Sequence, residues 1–199
     1  MPNESTVGTA YARRLQRLSA RGGALRRVID PQRPYRWNLR RIKPGFVLDV
    51  GCGIGRNLQH LDGNGVGIDH NVDCVAACVA DGLTAFTPQD FAASEYAVDG
   101  RFDSLLVAHV LEHMTEPEAI ELLRQHLRFV KTGGKVVVIT PQARGQRSDP
   151  THVHLVDPAS VRRIAAALGL RVLVIRSFPF SPAVGRVFTH NETVSILQR

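Results

Sequence analysis

Two short stretches concentrate the side chains able to move a proton or hold a metal. "AHVLEHM" places His109, Glu112 and His113 close together, and "RSDPTHVHLVD" places Asp149, His152 and His154 farther along the chain. On a helix, His109 and His113 share a face at i, i+4, with Glu112 beside them at i+3. In an extended segment His152 and His154 alternate, so only one of them faces a given site. A neutral imidazole titrates near working pH and can take a proton from a hydroxyl, which makes His109, His152 and His154 the candidate bases. The remaining histidines His60, His126 and His190 read as surface or packing residues.

A third stretch, "FVLDVGCGIGRNLQHL", packs Gly51, Gly53 and Gly55 behind an apolar run. The dinucleotide fingerprint G-x-G-x-x-G does not fit, because Arg56 stands where its third glycine belongs. Asp49 precedes the loop, and a carboxylate there opposes an anionic pyrophosphate while favouring a cationic ligand. Asp69 lies where an acid can take both hydroxyls of a ribose. Asp90 follows the next apolar run, where it could accept from an adenine amine. Three acids beside a glycine loop describe S-adenosylmethionine, with its α-amino group and sulfonium, better than a nicotinamide dinucleotide.

These residues need a scaffold, and the pattern of the chain supplies one. Short apolar runs at 46–50, 65–68, 83–86, 102–108 and 135–140 predict strands. Helical patterns lie between them at 56–61, 71–80 and 117–130, with a further helix at 159–168 that starts at Asp157-Pro158 and stops at Gly169. That alternation predicts a parallel sheet with crossover helices. The last two runs, 171–178 and 192–197, are joined by the turn-rich "PFSPAVGRVFTH", too short for another crossover, and so predict an antiparallel pair. Ahead of the sheet, Tyr11, Leu15, Leu18, Leu25 and Ile29 recur at helical spacing among arginines, and "DPQRPYRWN" reads as a turn-rich connection.

In this order, "VLDVGCGIG", "GIDHN", "QDF", "FDSLLVAHVLEHM" and "LRFVKTGGKVVVITP" resemble the class I S-adenosylmethionine-dependent methyltransferases. The resemblance runs from about residue 46 to the end of the chain. It implies an α/β, Rossmann-like sheet of seven mostly parallel strands in the order 3-2-1-4-5-7-6, with strand 7 antiparallel and helices on both faces. It also implies a cofactor site of Asp49, Gly51, Cys52, Gly53 and Asn57, then Asp69 and His70 at the ribose and adenine. Asp90 and Phe91 would meet the adenine edge and face, and Ala108 would lie under the sulfonium. A partial likeness to O-methyltransferases with a Glu-x-x-Glu-His motif, which bind Mg²⁺ or Mn²⁺, implies a metal set of His109, Glu112, His113 and His152. Here His109 replaces the first glutamate, which lowers the negative charge that a hard Mg²⁺ ion prefers.

The 199 residues have a net charge of +7, and 44% of them are hydrophobic. Residues 1–45 hold 11 Arg or Lys against two acids, whereas the remainder holds 14 against 16. The basicity therefore belongs to an N-terminal extension or lid, residues 1–45, ahead of a methyltransferase domain at 46–199. A uniformly basic nucleic-acid binder is not built this way. The sequence has no apolar run of membrane-spanning length and no secretory signal at its start, and its three cysteines suit a reducing, cytoplasmic setting.

Methyl transfer to an alcohol needs alignment of the acceptor and removal of its proton. The expected activity is O-methylation of a small or medium polar acceptor, with a saccharide as first choice and Mg²⁺ as the assisting ion. The alternatives are RNA ribose 2′-O-methylation through the basic arm and a cofactor-binding module without catalysis.

Overall fold

The computed structural model describes residues 30–199. The helical pattern expected over residues 9–29 lies outside them. The first described element is a helix, α1 (Arg33–Arg41), where the sequence reading expects a turn-rich connection. Pro34 sits in its first turn, a position at which proline is compatible with a helix. The helix is held by what it buries: Leu39, with Ile42 just past its end, packs against Val47, Leu61, Ile139 and Phe178.

Seven strands form one sheet: β1 (Val47–Val50), β2 (Gly65–Ile68), β3 (Ala85–Phe86), β4 (Phe102–Ala108), β5 (Val130–Pro141), β6 (Arg171–Phe178) and β7 (Glu192–Gln198). Their spatial order is β3-β2-β1-β4-β5-β7-β6. β1 to β5 pair in parallel, and β7 runs antiparallel to both β5 and β6, as the short final connection requires. β3 is shorter than the apolar run suggests. β5 is longer, because Val130 pairs with Phe102 ahead of an irregularity in the ladder.

Alternation along the central strands divides the core between the two faces of the sheet. Leu48, Leu105, Val107, Val136 and Val138 belong to one cluster, and Val47, Leu106, Val137 and Ile139 to the other. The crossover helices are α2 (Arg56–His60), α3 (Val72–Ala80), α4 (Pro88–Ala92) and α5 (Glu116–Leu127), followed by α6 (Ala143–Gln146) and α7 (Pro158–Ala167). Asn71 caps α3, and Asp157 caps α7 by accepting from the Ala159 and Ser160 amides, as its place before Pro158 predicts. Among the described residues, no helix is long and apolar enough to cross a membrane.

Candidate active site

The parallel strands end at one edge, and the glycine loop follows the first of them. Asp49 is the third residue of β1, and Gly51, Gly53 and Gly55 all adopt left-handed backbone conformations. At Gly51 a side chain would also collide, since a Cβ would fall 2.3 Å from Val110 Cγ2. The amides of Gly51 and Cys52 donate to the Ile68 carbonyl, which ties the loop to the end of β2. Asp69, next along, closes the second tie: its carboxylate accepts from the Gly53 amide at 2.8 Å and from the Asn71 amide at 2.9 Å.

Asp49 differs from Asp69. It is fully buried, and neither of its oxygens has a hydrogen-bond partner. Burial pushes its carboxyl up to about 7; the nearby Asn57 amide works against that rise without forming a hydrogen bond, and the Asp69 charge adds to it. A buried, unpaired carboxylate is costly and is relieved by a cation that reaches it. The loop therefore fits a ligand carrying an ammonium group near Asp49. That ligand description matches S-adenosylmethionine.

The other expected cofactor contacts divide. Asn57 and Ala108 line the cleft at the strand ends, and His70 is exposed next to Asp69. Asp90 lies in the first turn of α4, where it accepts the Thr87 hydroxyl at 2.7 Å. Phe91 departs from expectation: its ring is buried against Phe102 and Phe129, so its faces are committed to the core. The Cys52 sulfur also turns inward, toward Gly67 and Cys78.

Past β4, the structure corrects the idea that His109 and His113 share a helical face. His109 has a left-handed backbone with φ +59°, and Leu111–His113 form a separate 3₁₀ turn. His109 lies instead between two carboxylates, with Nε2 2.9 Å from Glu192 Oε1 and Nδ1 3.3 Å from Glu112 Oε1. Desolvation opposes a charge on this ring, but the two acids outweigh it and hold the imidazole up to about 10. The ring is half exposed, and the acids on either side favour its doubly protonated form over the neutral base that the sequence suggests.

Glu112, His113 and His152 do converge, each offering a ligand atom within 4.8 Å of the others. Local bonds set their tautomers. The Thr151 hydroxyl donates to Asp149 at 2.7 Å, so it accepts from His113 Nδ1 at 3.1 Å, and the Thr151 carbonyl accepts from the same nitrogen. His152 Nδ1 donates to the Gln146 carbonyl at 3.0 Å. In the neutral form of each ring these bonds leave the lone pair on Nε2. Beside them is Glu112, fully buried, whose charge partner is the His109 ring at 3.3 Å. Two imidazole rings anchored through Nδ1 and a buried carboxylate, each offering a ligand atom, fit a divalent metal. His109 lies outside this trio. His154 also lies apart, its Nε2 3.7 Å from Glu116 on α5.

Glu192 is a candidate site residue that sequence reading missed. It opens β7 and lines the cleft with Gln32, Tyr35, Asn38, Asn57 and His109. A signal existed, because an antiparallel last strand begins at the edge where parallel strands end. Burial, with the Glu192 charge second, pushes the Tyr35 hydroxyl up to about 12, so it remains a donor, here to the His190 carbonyl at 2.7 Å.

A sheet of this order, with a glycine loop and an acid at the end of β2, defines the class I S-adenosylmethionine-dependent methyltransferase domain. The family described as "Methyltransferase domain" matches residues 5–174, and the chain belongs to it. Phosphoethanolamine N-methyltransferase 3 of Arabidopsis thaliana is 35% identical over 107 residues, covering 49% of this chain and 21% of that protein. Ajmaline N-methyltransferase of Rauvolfia serpentina is 31% identical over 111 residues, covering 49% of this chain and 36% of that protein. The chain thus spans about a fifth of the first relative's length and little more than a third of the second's. Among solved structures, the magnesium protoporphyrin IX methyltransferase of Synechocystis PCC 6803 with bound SAH superposes with a TM-score of 0.68 at 15% identity, covering 98% of this chain and 96% of that one. A SAM-dependent methyltransferase from Archaeoglobus fulgidus gives 0.65 at 22% identity, covering 83% and 93%.

Proposed function

We propose that this protein transfers a methyl group from S-adenosylmethionine to a hydroxyl of a polar acceptor, a saccharide being the favoured class, with a divalent metal assisting. The observation that carries the reading is the convergence of the buried Glu112 carboxylate with ring nitrogens of His113 and His152, within 4.8 Å of one another, just past β4. When bound, the cofactor supplies an activated methyl on a sulfonium. Asp49 would pair with its ammonium group and Asp69 with its ribose hydroxyls, while the backbone at Ala108 and His109 lies at the reacting end. Gln32, Tyr35, Asn38 and Glu192 offer the acceptor hydrogen-bonding groups, which suits a molecule with several hydroxyls. Residues 1–45 would act as a lid over this cleft.

Glu112, His113 and His152 would hold the metal, and its chemistry there is to ease loss of the acceptor's hydroxyl proton. Two imidazoles and one carboxylate favour a borderline ion such as Mn²⁺ or Zn²⁺ over Mg²⁺. Without a metal, His152 Nε2 is the base left to take that proton, because the acids beside His109 favour its charged form and His154 faces Glu116.

The relatives named above are N-methyltransferases, which favours an amine acceptor as the second reading. A third, methylation of RNA ribose through the arginine-rich extension, predicts a steep loss of activity with salt. Labelled cofactor offered to saccharides, phenols, amines and RNA, with Mn²⁺ or with chelator, separates them. The reading requires a methylated saccharide hydroxyl and a drop in its yield under chelator. A methylated amine formed equally well in chelator would replace it, and cofactor binding with no product would leave a module without catalysis.

A further inference from the structure

Residues 179–190, between β6 and β7, hold apolar side chains out into solvent. Phe180 is 52% exposed and Val187 76%, and Pro182 and Ala183 between them are exposed as well. A loosely packed loop would turn such groups inward, yet this one is fastened from beneath. Asn191 is fully buried; its amide nitrogen reaches Gln142 Oε1, Ser177 Oγ and the carbonyls of Phe180 and Ser181, and its oxygen accepts from the Phe180 amide at 2.9 Å. Gly185 presses so closely on Gln142 that a Cβ would overlap its side-chain oxygen. Phe188 is wedged edge-on between Phe180 and His190. The fold holds the apolar tip outward.

Arginines rim that tip. Arg186 lies within the loop, Arg144 and Arg147 come from the adjoining α6, and all three are exposed. Arg147 also donates to the Arg186 carbonyl at 3.5 Å. Residues 179–190 contain no acid, and the Asp149 carboxylate beside α6 is occupied by Thr151. Apolar groups at the tip with cations around them match an anionic bilayer, in which the tip enters the acyl boundary and the arginines meet phosphates.

We propose that residues 179–190, with Arg144 and Arg147, dock this protein on an anionic lipid surface. The loop borders the candidate active site: the His190 carbonyl accepts the Tyr35 hydroxyl, and Glu192 two residues later lines the cleft. Docking there sets the mouth of the cleft at headgroup level and presents it to acceptors carried on lipid.

Sedimentation with vesicles tests this on the full chain, using phosphatidylcholine alone and an equal mixture with phosphatidylglycerol. Binding to the mixed vesicles should be about tenfold tighter or more and should weaken as salt rises, by charge attraction to the surface. Phe180→Glu with Val187→Glu should abolish it, and Arg144→Gln with Arg147→Gln should weaken it. Calorimetric affinity for S-adenosylhomocysteine should be unchanged in both variants, which separates lost docking from lost folding and leaves the cofactor reading untouched. Failure to sediment with either vesicle, or undiminished binding by the Glu variant, would overturn the proposal. So would a dimer dispersed by Val187→Glu, or vesicle binding that rises in Leu15→Asp with Leu18→Asp, since the patch would then belong to a second copy or to the chain's own residues.

Discussion

Glu192 Oε1 lies 2.9 Å from His109 Nε2, although 83 residues separate the two in sequence. With Glu112 on the other ring nitrogen, this contact sets His109 between two acids at the mouth of the cleft and favours its charged form.

Removing one acid should loosen the proton. In Glu192→Gln the His109 imidazole should titrate well below its present value of about 10, read from its ring resonances by NMR. The folded value exceeds the ordinary 6.5 of a histidine, so the charge stabilises the fold fully below 6.5. That contribution should fade as pH rises from there through about 10, and Glu192→Gln should flatten the fall. An unchanged titration would show that Glu192 does not hold the proton.

Asp49 gives the same sign in a lower window. Its folded value of about 7 lies above the ordinary 3.8, so the folded state holds the extra proton between them. Stability without cofactor should therefore fall as pH rises from about 4 to about 7, by roughly 4 kcal/mol from a three-unit shift. Asp49→Asn should remove this slope and raise the melting temperature at pH above the window. The same change should weaken cofactor affinity by about tenfold to a hundredfold, the worth of one charge-assisted bond. A melting curve indifferent to pH would contradict this.

For Asp69 the loss is both structural and functional. Asp69→Ala strips the acceptor from the Gly53 and Asn71 amides, at a cost of about 1–3 kcal/mol for each group left buried without a partner. Calorimetry should find cofactor binding severely reduced even where the protein remains folded. Retained affinity would move the ribose elsewhere.

Metal binding can be read without turnover. Mn²⁺ or Zn²⁺ at about a hundred times its dissociation constant should add about 2.7 kcal/mol to stability, seen as a rise in melting temperature. Glu112→Gln and His152→Ala should abolish the rise. Thr151→Val should weaken metal affinity by less, because it removes the hydroxyl from His113 Nδ1 and leaves the Thr151 carbonyl in place. A full rise in Glu112→Gln would rule out this trio as the site.

Glycine spacing, the acids behind the strands and the alternation of short apolar runs with helical patterns are local features, and they carry the sheet order. The antiparallel close follows equally locally, from a connection too short to hold a crossover helix. Local pattern misled where burial decided the outcome. α1 forms across a stretch rich in turn residues because Leu39 and Ile42 reach the core. Phe91 is drawn inward by Phe102 and Phe129 rather than left open beside the cofactor loop.

The sequence by itself determined the class of fold, made Asp49 and Asp69 the candidates for a cationic, ribose-bearing ligand, and brought the two histidine-bearing segments to one edge. Spacing along the chain encodes those, because strand ends and loops inherit their position from hydrophobic period. Only the tertiary structure decided which ring nitrogens are anchored, that His109 is clamped by Glu192, and that His154 turns away. Protonation depends on which atoms meet across distant segments, and side-chain period carries no record of such meetings.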